Sequence, residues 1–172
     1  LEDRYRNEGY PTVLVNIPEQ DVENAVVVFD VVEGRVESLR VVGSRYFSLE
    51  NIKQQVPSLA EGSIPYLPKV KEELNHINMQ TPDRSAQPMM RPGRLPGTID
   101  VELRVQDTFP LHGYVEVNNY HTKDTTDTRV IGQIRYDNLW QLGHSLSLQY
   151  QTAPENADEV RVLSGTYLWR SQ

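Results

Sequence analysis

Hydrophobic and polar positions change their period more than once along this chain. Over residues 10–42 the chain reads as extended. Thr12, Val13, Leu14, Val15 and Ile17 make a run rich in β-branched residues, 18–21 is a polar break, 25–32 is a second, largely apolar strand, and 36–42 is a third strand closed by Gly43. β-Branched side chains favour strands. The run 25–32 is apolar on both faces for several residues, which predicts a central strand covered on both sides. Glu33 and Gly34 mark the turn that follows it.

Helical spacing comes next. Ser48 is a good N-cap for a first helix. Phe47 and Ile52 sit at the spacing of a hydrophobic staple, and Pro57 stops the helix early. A second helix is predicted over 67–78, with Pro68 tolerated in its first turn. Leu67, Val70, Leu74 and Ile77 fall on one face, and Lys69, Lys71, Glu72 and Glu73 lie off it. Residues 85–90 can then extend, 91–97 form a turn rich in proline and glycine, and 99–105 alternate strictly. The order over 35–107 is therefore strand, helix, helix, strand, strand.

Part of this order occurs twice. Residues 29–33 align with residues 103–107, 74 positions later. Each stretch follows an extended segment and ends in an acidic turn. Residues 1–33 then read as the end of one unit, and 35–107 as a complete second one.

From 111 onward the alternation has period two. Val115 and Val117 oppose Tyr114, Glu116 and Asn118. Val130, Gly132, Ile134 and Tyr136 oppose Arg129, Gln133, Arg135 and Asp137, with Ile131 as the exception. Residues 145–151 alternate Leu or Tyr with Ser or Gln, and 159–169 form a fourth, weaker strand. Two structures share this pattern. One is a soluble antiparallel sheet with one wet face. The other is a set of membrane strands, which need about 9–11 residues each. Polar loops at 121–127 and 154–158 alternate with a tighter connection at 138–143, and Tyr136, Trp140, Tyr167 and Trp169 lie near strand ends, as in an aromatic girdle.

Composition narrows the function classes. The chain has 172 residues, no cysteine, and 17 basic against 24 acidic residues, a net charge of −7. That balance argues against a nucleic-acid partner held by a basic surface. Disulfide frameworks and thiolate metal sites are excluded. No apolar stretch approaches the roughly 20 residues of a membrane helix. The chain starts at Leu1, and its first methionine is Met79, which points to a piece of a longer protein. Enzyme chemistry finds little support. The four histidines lack ligand spacing. Glu72 and Glu73 read as helix surface, and residues 124–127 lack the glycine and distal glutamate of a calcium loop. No nucleophile elbow or phosphate-cradling glycine loop occurs. No cofactor, metal or catalytic residue is expected.

Three stretches carry a resemblance to the two-partner secretion transporters, the haemolysin secretion/activation family of the Gram-negative outer membrane. The first comprises Gly9-Tyr10, Ile17-Pro18-Glu19-Gln20-Asp21 and residues 31–37. The second is residues 78–107, with Pro82-Asp83-Arg84 and Arg91-Pro92-Gly93-Arg94-Leu95-Pro96-Gly97. The third is Tyr136-Asp137-Asn138-Leu139-Trp140 with residues 143–154. The resemblance implies an α+β fold of periplasmic POTRA domains (β-α-α-β-β) followed by antiparallel strands of a truncated outer-membrane β-barrel. It divides the chain into 1–34, the end of a first POTRA domain; 35–109, a second; and 110–172, about four barrel strands.

The resemblance further implies an outer-membrane transporter that binds an unfolded, secreted exoprotein of haemolysin or adhesin type and exports it through the barrel. Outer-membrane lipid is a second expected partner, and the POTRA domains lie in the periplasm. The client enters through its N-terminal secretion domain, by pairing with a strand edge beside a helix. The expected edge is Ser85, Gln87, Met89, Met90 and Arg91, flanked by Leu67, Val70 and Leu74. Each has a plainer alternative. Pro88 fits a client edge or simply a blunted one. The methionines fit an adaptable surface or the core, and the helix stripe fits a groove or the core. Two other functions remain open: a barrel-assembly insertase with the same domains, and a soluble periplasmic scaffold with an all-β tail.

Overall fold

The computed structural model describes residues 1–20 and 26–170. They form two compact units, Leu1–Asp107 and Thr108–Gln172.

The first unit opens with helix α1 (Glu2–Asn7), strand β1 (Val13–Asn16) and strand β2 (Asp30–Glu33). β1 and β2 pair antiparallel as a two-stranded sheet. Here the structure corrects one expectation. The apolar run 25–32 is not a covered central strand: Val26, Val27, Val28 and Phe29 are exposed and outside any strand, and β2 begins only at Asp30. Gln20 supplies the reason. Its side-chain amide accepts from the Val28 N–H at 2.8 Å and donates to the Val28 carbonyl at 2.9 Å, taking the groups that a ladder partner would use. Asp21 and Ala25, which the sequence reading included, lie outside the described residues.

The rest of this unit runs in the expected order: β3 (Arg35–Val42), α2 (Leu49–Gln54), a 3₁₀ turn (Pro57–Leu59), α3 (Leu67–Gln80), β4 (Arg84–Pro92) and β5 (Thr98–Asp107). The sheet order is β3-β5-β4, with β3 parallel and β4 antiparallel to β5. The Ser48 hydroxyl accepts from the Asn51 N–H at 3.4 Å and caps α2. Ile52 of α2 and Val70, Leu74 and Ile77 of α3 are buried against the sheet, whereas Leu49 and Met79 are exposed. Ile52, Val56, Val70, Leu74 and Ile77 join Leu39, Val41, Ala86, Val101, Leu103 and Val105 in one buried core. Asp100, Glu102, Arg104 and Gln106 of β5 alternate onto the solvated face.

Arg84 and Gly9 tie the ends of α3. Arg84 donates to the Ile77 carbonyl at 3.1 Å and to Gln80 Oε1 at 2.7 Å, and its guanidinium lies 5.0 Å from the Phe47 ring centroid. It thereby serves a carbonyl that the helix end leaves unpaired. Burial pushes its pKa down. At the other end the Gly9 carbonyl accepts from the Leu67 N–H at 2.9 Å. Gly9 has φ +100°, and a Cβ there would sit 2.7 Å from the Tyr66 ring, so this contact needs glycine.

The second unit is an antiparallel meander, β6 (Leu111–Asn118), β7 (Arg129–Leu139), β8 (His144–Thr152) and β9 (Arg161–Leu168), in sequence order. No helix among the described residues is long and apolar enough to cross a membrane.

Candidate functional site

β4 is an edge strand, and its hydrogen-bonding parity can be read from one side chain. Asn78 of α3 turns its amide onto Ala86. Oδ1 accepts from the Ala86 N–H at 2.7 Å, and Nδ2 donates to the Ala86 carbonyl at 3.2 Å. Opposed residues of an antiparallel ladder exchange both bonds or neither. Ala86, opposite Val105, therefore exchanges neither with β5. The register runs unbroken from Arg84 to Pro92. Pro88, Met90 and Pro92 thus share Ala86's parity and point their backbone outward, while Ser85, Gln87, Met89 and Arg91 point theirs at β5. Both prolines stand where the ladder needs no N–H. That is why β4 runs through Pro92 instead of stopping at Met90.

The outward edge is consequently sparse in donors. Ala86 is occupied by Asn78, the two prolines have no N–H, and Met90 alone offers one between residues 86 and 92. Its carbonyl, with those of Pro88 and Pro92, faces the same way. Of the expected contact residues, Ser85, Gln87 and Arg91 are exposed, and Met89 and Met90 are half-buried. Met90 packs against the core. Leu67 is half-buried at the start of α3, whereas Val70 and Leu74 are buried in the core and offer no surface of their own.

The turn that closes β4 and β5 is held by Glu37. Its Oε2 accepts from the Thr98 hydroxyl at 2.7 Å, the Arg94 N–H at 2.8 Å and the Leu95 N–H at 3.2 Å. These bonds, led by that from Thr98, hold the Glu37 pKa below the usual glutamate range. Gly93 makes the packing possible, because a Cβ there would meet Thr98 Oγ1 at 2.2 Å and Glu37 Oε2 at 2.6 Å. Asp107 clamps the opposite end of the sheet. Burial raises its pKa, but the N–H groups of Tyr46 and Arg45, each at 2.8 Å, and the Ser44 hydroxyl at 2.9 Å outweigh this and leave it lowered.

In the second unit the register aligns side chains in rows. Val115, Gly132, Tyr150 and Leu163 form one, and Gly113, Ile134, Leu148 and Gly165 the next. The opposite face carries Tyr114, Gln133, Gln149 and Ser164. The apolar face is uncovered: Val115 is 75% and Leu163 73% exposed. A soluble sheet buries that face, whereas a membrane strand turns it to lipid. Trp140, His144, Tyr167 and Trp169 cluster at one sheet end, with ring centroids 5.7–6.4 Å apart. At the other end the two long loops are stitched together. Glu159 accepts from the Thr126 N–H at 2.8 Å and its hydroxyl at 2.9 Å, and Thr128 donates to Glu155 at 2.6 Å. The Thr126 backbone bond leads the effects that lower the Glu159 pKa. Nothing in the polar loop at 121–127 marks this pairing in the sequence, because it joins residues 33 positions apart.

A β-α-α-β-β unit followed by an antiparallel meander with an uncovered apolar face is the arrangement of a POTRA-like α+β domain followed by strands consistent with part of a barrel. A family model described as "POTRA domain, ShlB-type" matches residues 1–34. The outer membrane transporter CdiB of Dickeya dadantii (strain 3937) is 26% identical over 136 residues, which is 79% of this chain and 24% of that protein. The solved structure of CdiB from Escherichia coli superposes with a TM-score of 0.66 at 24% identity, covering 90% of this chain and 28% of that one. BamA from Haemophilus ducreyi, solved without its POTRA domains 1–3, shares the fold at a TM-score of 0.53 and 16% identity, over 87% of this chain and 30% of its own. The chain is thus similar in sequence to CdiB outer membrane transporters over about four-fifths of its length, and its residues 1–34 match the POTRA model. It spans about a quarter of the length of the curated relatives it matches.

Proposed function

We propose that this chain is part of a two-partner secretion transporter, which receives one unfolded exoprotein in the periplasm and exports it through a β-barrel. In this reading residues 1–34 end a first POTRA domain, 35–109 make a second, and 110–172 begin the barrel. The observation that carries it is the uncovered apolar face of β6–β9 on a chain whose other unit has the POTRA fold. Lipid is the partner of that face. The client approaches the β4 edge, where an unfolded chain brings the free backbone groups that an edge requires.

An insertase of the BamA type shares the fold, but CdiB transporters are what the sequence matches. A soluble scaffold is disfavoured by the uncovered face. Deleting the gene in the source cell tests the transport reading. The exoprotein should disappear from the medium, while newly made outer-membrane barrels still assemble. Undiminished release of the exoprotein, or a general loss of barrels, contradicts it.

A further inference from the structure

The first unit contains an open cavity of about 500 Å³ that the edge-pairing reading does not use. That volume lies within the usual range for ligand sites. It lies between β1 and the β4–β5 turn. Its apolar lining comes from Leu14, Met90, Pro92, Leu95, Pro96 and Ile99. Leu95 is 62% exposed on its rim.

Three features give this cavity a definite preference. First, it adjoins the stretch of the β4 edge that is still able to pair. Met90 both lines the cavity and carries the remaining outward N–H of residues 86–92, so a chain pairing there passes the cavity mouth. Second, its wall is fixed before any ligand arrives. Glu37 grips the amides of Arg94 and Leu95, and Thr98 donates to the Leu95 carbonyl at 2.7 Å. A wall already ordered spares the cost of ordering it on binding. Third, the lining is charged with one sign. Arg91 and Arg94 contribute to it, and among the described residues no carboxylate does. Glu37 stands 3.8 Å from Arg94, but Arg94 remains 88% exposed and Glu37 Oε2 already accepts three bonds from the turn.

We infer that this cavity is a docking pocket for a short extended segment of unfolded polypeptide in which an aliphatic side chain is flanked by acidic ones. The aliphatic side chain fills the space between Leu14, Leu95 and Ile99. The flanking carboxylates meet Arg91 and Arg94. The backbone exchanges bonds with Met90 and donates to the carbonyls of Pro88 or Pro92. The segment is short because Asn78 closes the edge at Ala86. The inference rests on the reading of this chain as a receiver of unfolded client, and it adds which segments of such a client are chosen.

The test uses the full-length protein in detergent and two dye-labelled hexapeptides, Glu-Val-Glu-Leu-Glu-Val and Lys-Val-Lys-Leu-Lys-Val, with binding followed by fluorescence anisotropy. The acidic peptide should bind roughly tenfold more tightly than the basic one at low salt, as two exposed charge contacts allow. Arg91→Glu combined with Arg94→Glu should reverse the order. Leu95→Asp, at an exposed position, should weaken the acidic peptide roughly tenfold, the scale of one lost aliphatic contact. Lys71→Glu, on the solvated side of α3, should change nothing. Equal affinity for the two peptides, or an unaltered affinity in Leu95→Asp, overturns the pocket. Those failures leave the transport reading standing if gene deletion still abolishes release. Selective peptide binding together with undiminished release supports the pocket and overturns transport instead.

Discussion

Glu37 shows how much one side chain can organise. It sits at the irregular step of β3, where the register against β5 shifts between Val36 and Ser38. That displacement turns its carboxylate toward the β4–β5 turn. Because its pKa is lowered in the folded state, the unfolded chain binds the proton more readily. The stabilisation is therefore complete above the ordinary glutamate pKa and is lost as pH falls through the lowered one. Glu37→Gln should weaken the grip. Hydrogen exchange at the Arg94 and Leu95 amides is expected to accelerate, and their protection should stop falling between neutral and acidic pH. Unchanged protection would mean that the turn is held by its prolines alone. None of this was legible from the sequence. Glu37 reads there as a polar residue in a strand, and the residues it serves lie 57–61 positions away.

At the scale of elements, sequence period was a good guide wherever one face is buried. The alternation over 99–105 and the spacing of Leu67, Val70, Leu74 and Ile77 are direct records of a shared core. Ile77, at 0% exposure, stands at its centre. Period failed where no face is buried. Helix α1 has no buried residue and is supported by charge pairs such as Arg4 with Glu8 at 3.0 Å, so it leaves no apolar stripe to find. It failed again at 26–29, because an apolar run does not reveal that Gln20 will occupy Val28. The same substitution of a side-chain amide for a strand recurs at Asn78 and Ala86. Two side-chain amides thus set where the first unit's ladders begin or stop accepting neighbours.

Ladder parity is likewise invisible in sequence, yet it decides which substitutions are harmless. Gln87→Pro removes an N–H that β5 uses, and leaving its partner unsatisfied should cost about 1–3 kcal/mol in urea unfolding. Pro88→Ala adds an N–H that faces outward, so stability should move by no more than about 1 kcal/mol. It should also lengthen the edge available to a partner and raise self-association at high concentration. Equal stability losses at the two positions would contradict the assigned parity. β4, where the sequence leads one to expect a client to pair, is an edge strand of its sheet. Its backbone contribution, however, belongs to Pro88, Met90 and Pro92, whereas Gln87 and Met89 offer only side chains.

At the scale of the whole molecule, two chemistries share one chain. The first unit buries its apolar stripe and shows a charged sheet face. The second shows its apolar face and has no core on that side. A lipid surface reconciles the second with stability. Arginine on a membrane strand costs about 2–4 kcal/mol near the bilayer midplane and far less on the lumen side. Leu148→Arg should therefore block stable insertion of the full-length protein into vesicles, while Gln149→Arg, one residue away on the other face, should insert normally. Equal insertion of both would place this sheet outside the bilayer. The period-two pattern predicted the faces correctly but left their environment open, since water on one side and lipid on the other give the same alternation.

The central claim is that this chain takes an unfolded exoprotein at its POTRA unit on the way to the outer membrane. The most direct measurement is site-specific photo-crosslinking in cells that are exporting the exoprotein, with the photoreactive residue at exposed Gln87 of the β4 edge and, as control, at exposed Lys71. The account predicts an adduct between Gln87 and the N-terminal region of the exoprotein that forms only while export proceeds, and none at Lys71. Normal export without an adduct at Gln87, or an adduct of equal yield at both positions, would contradict it.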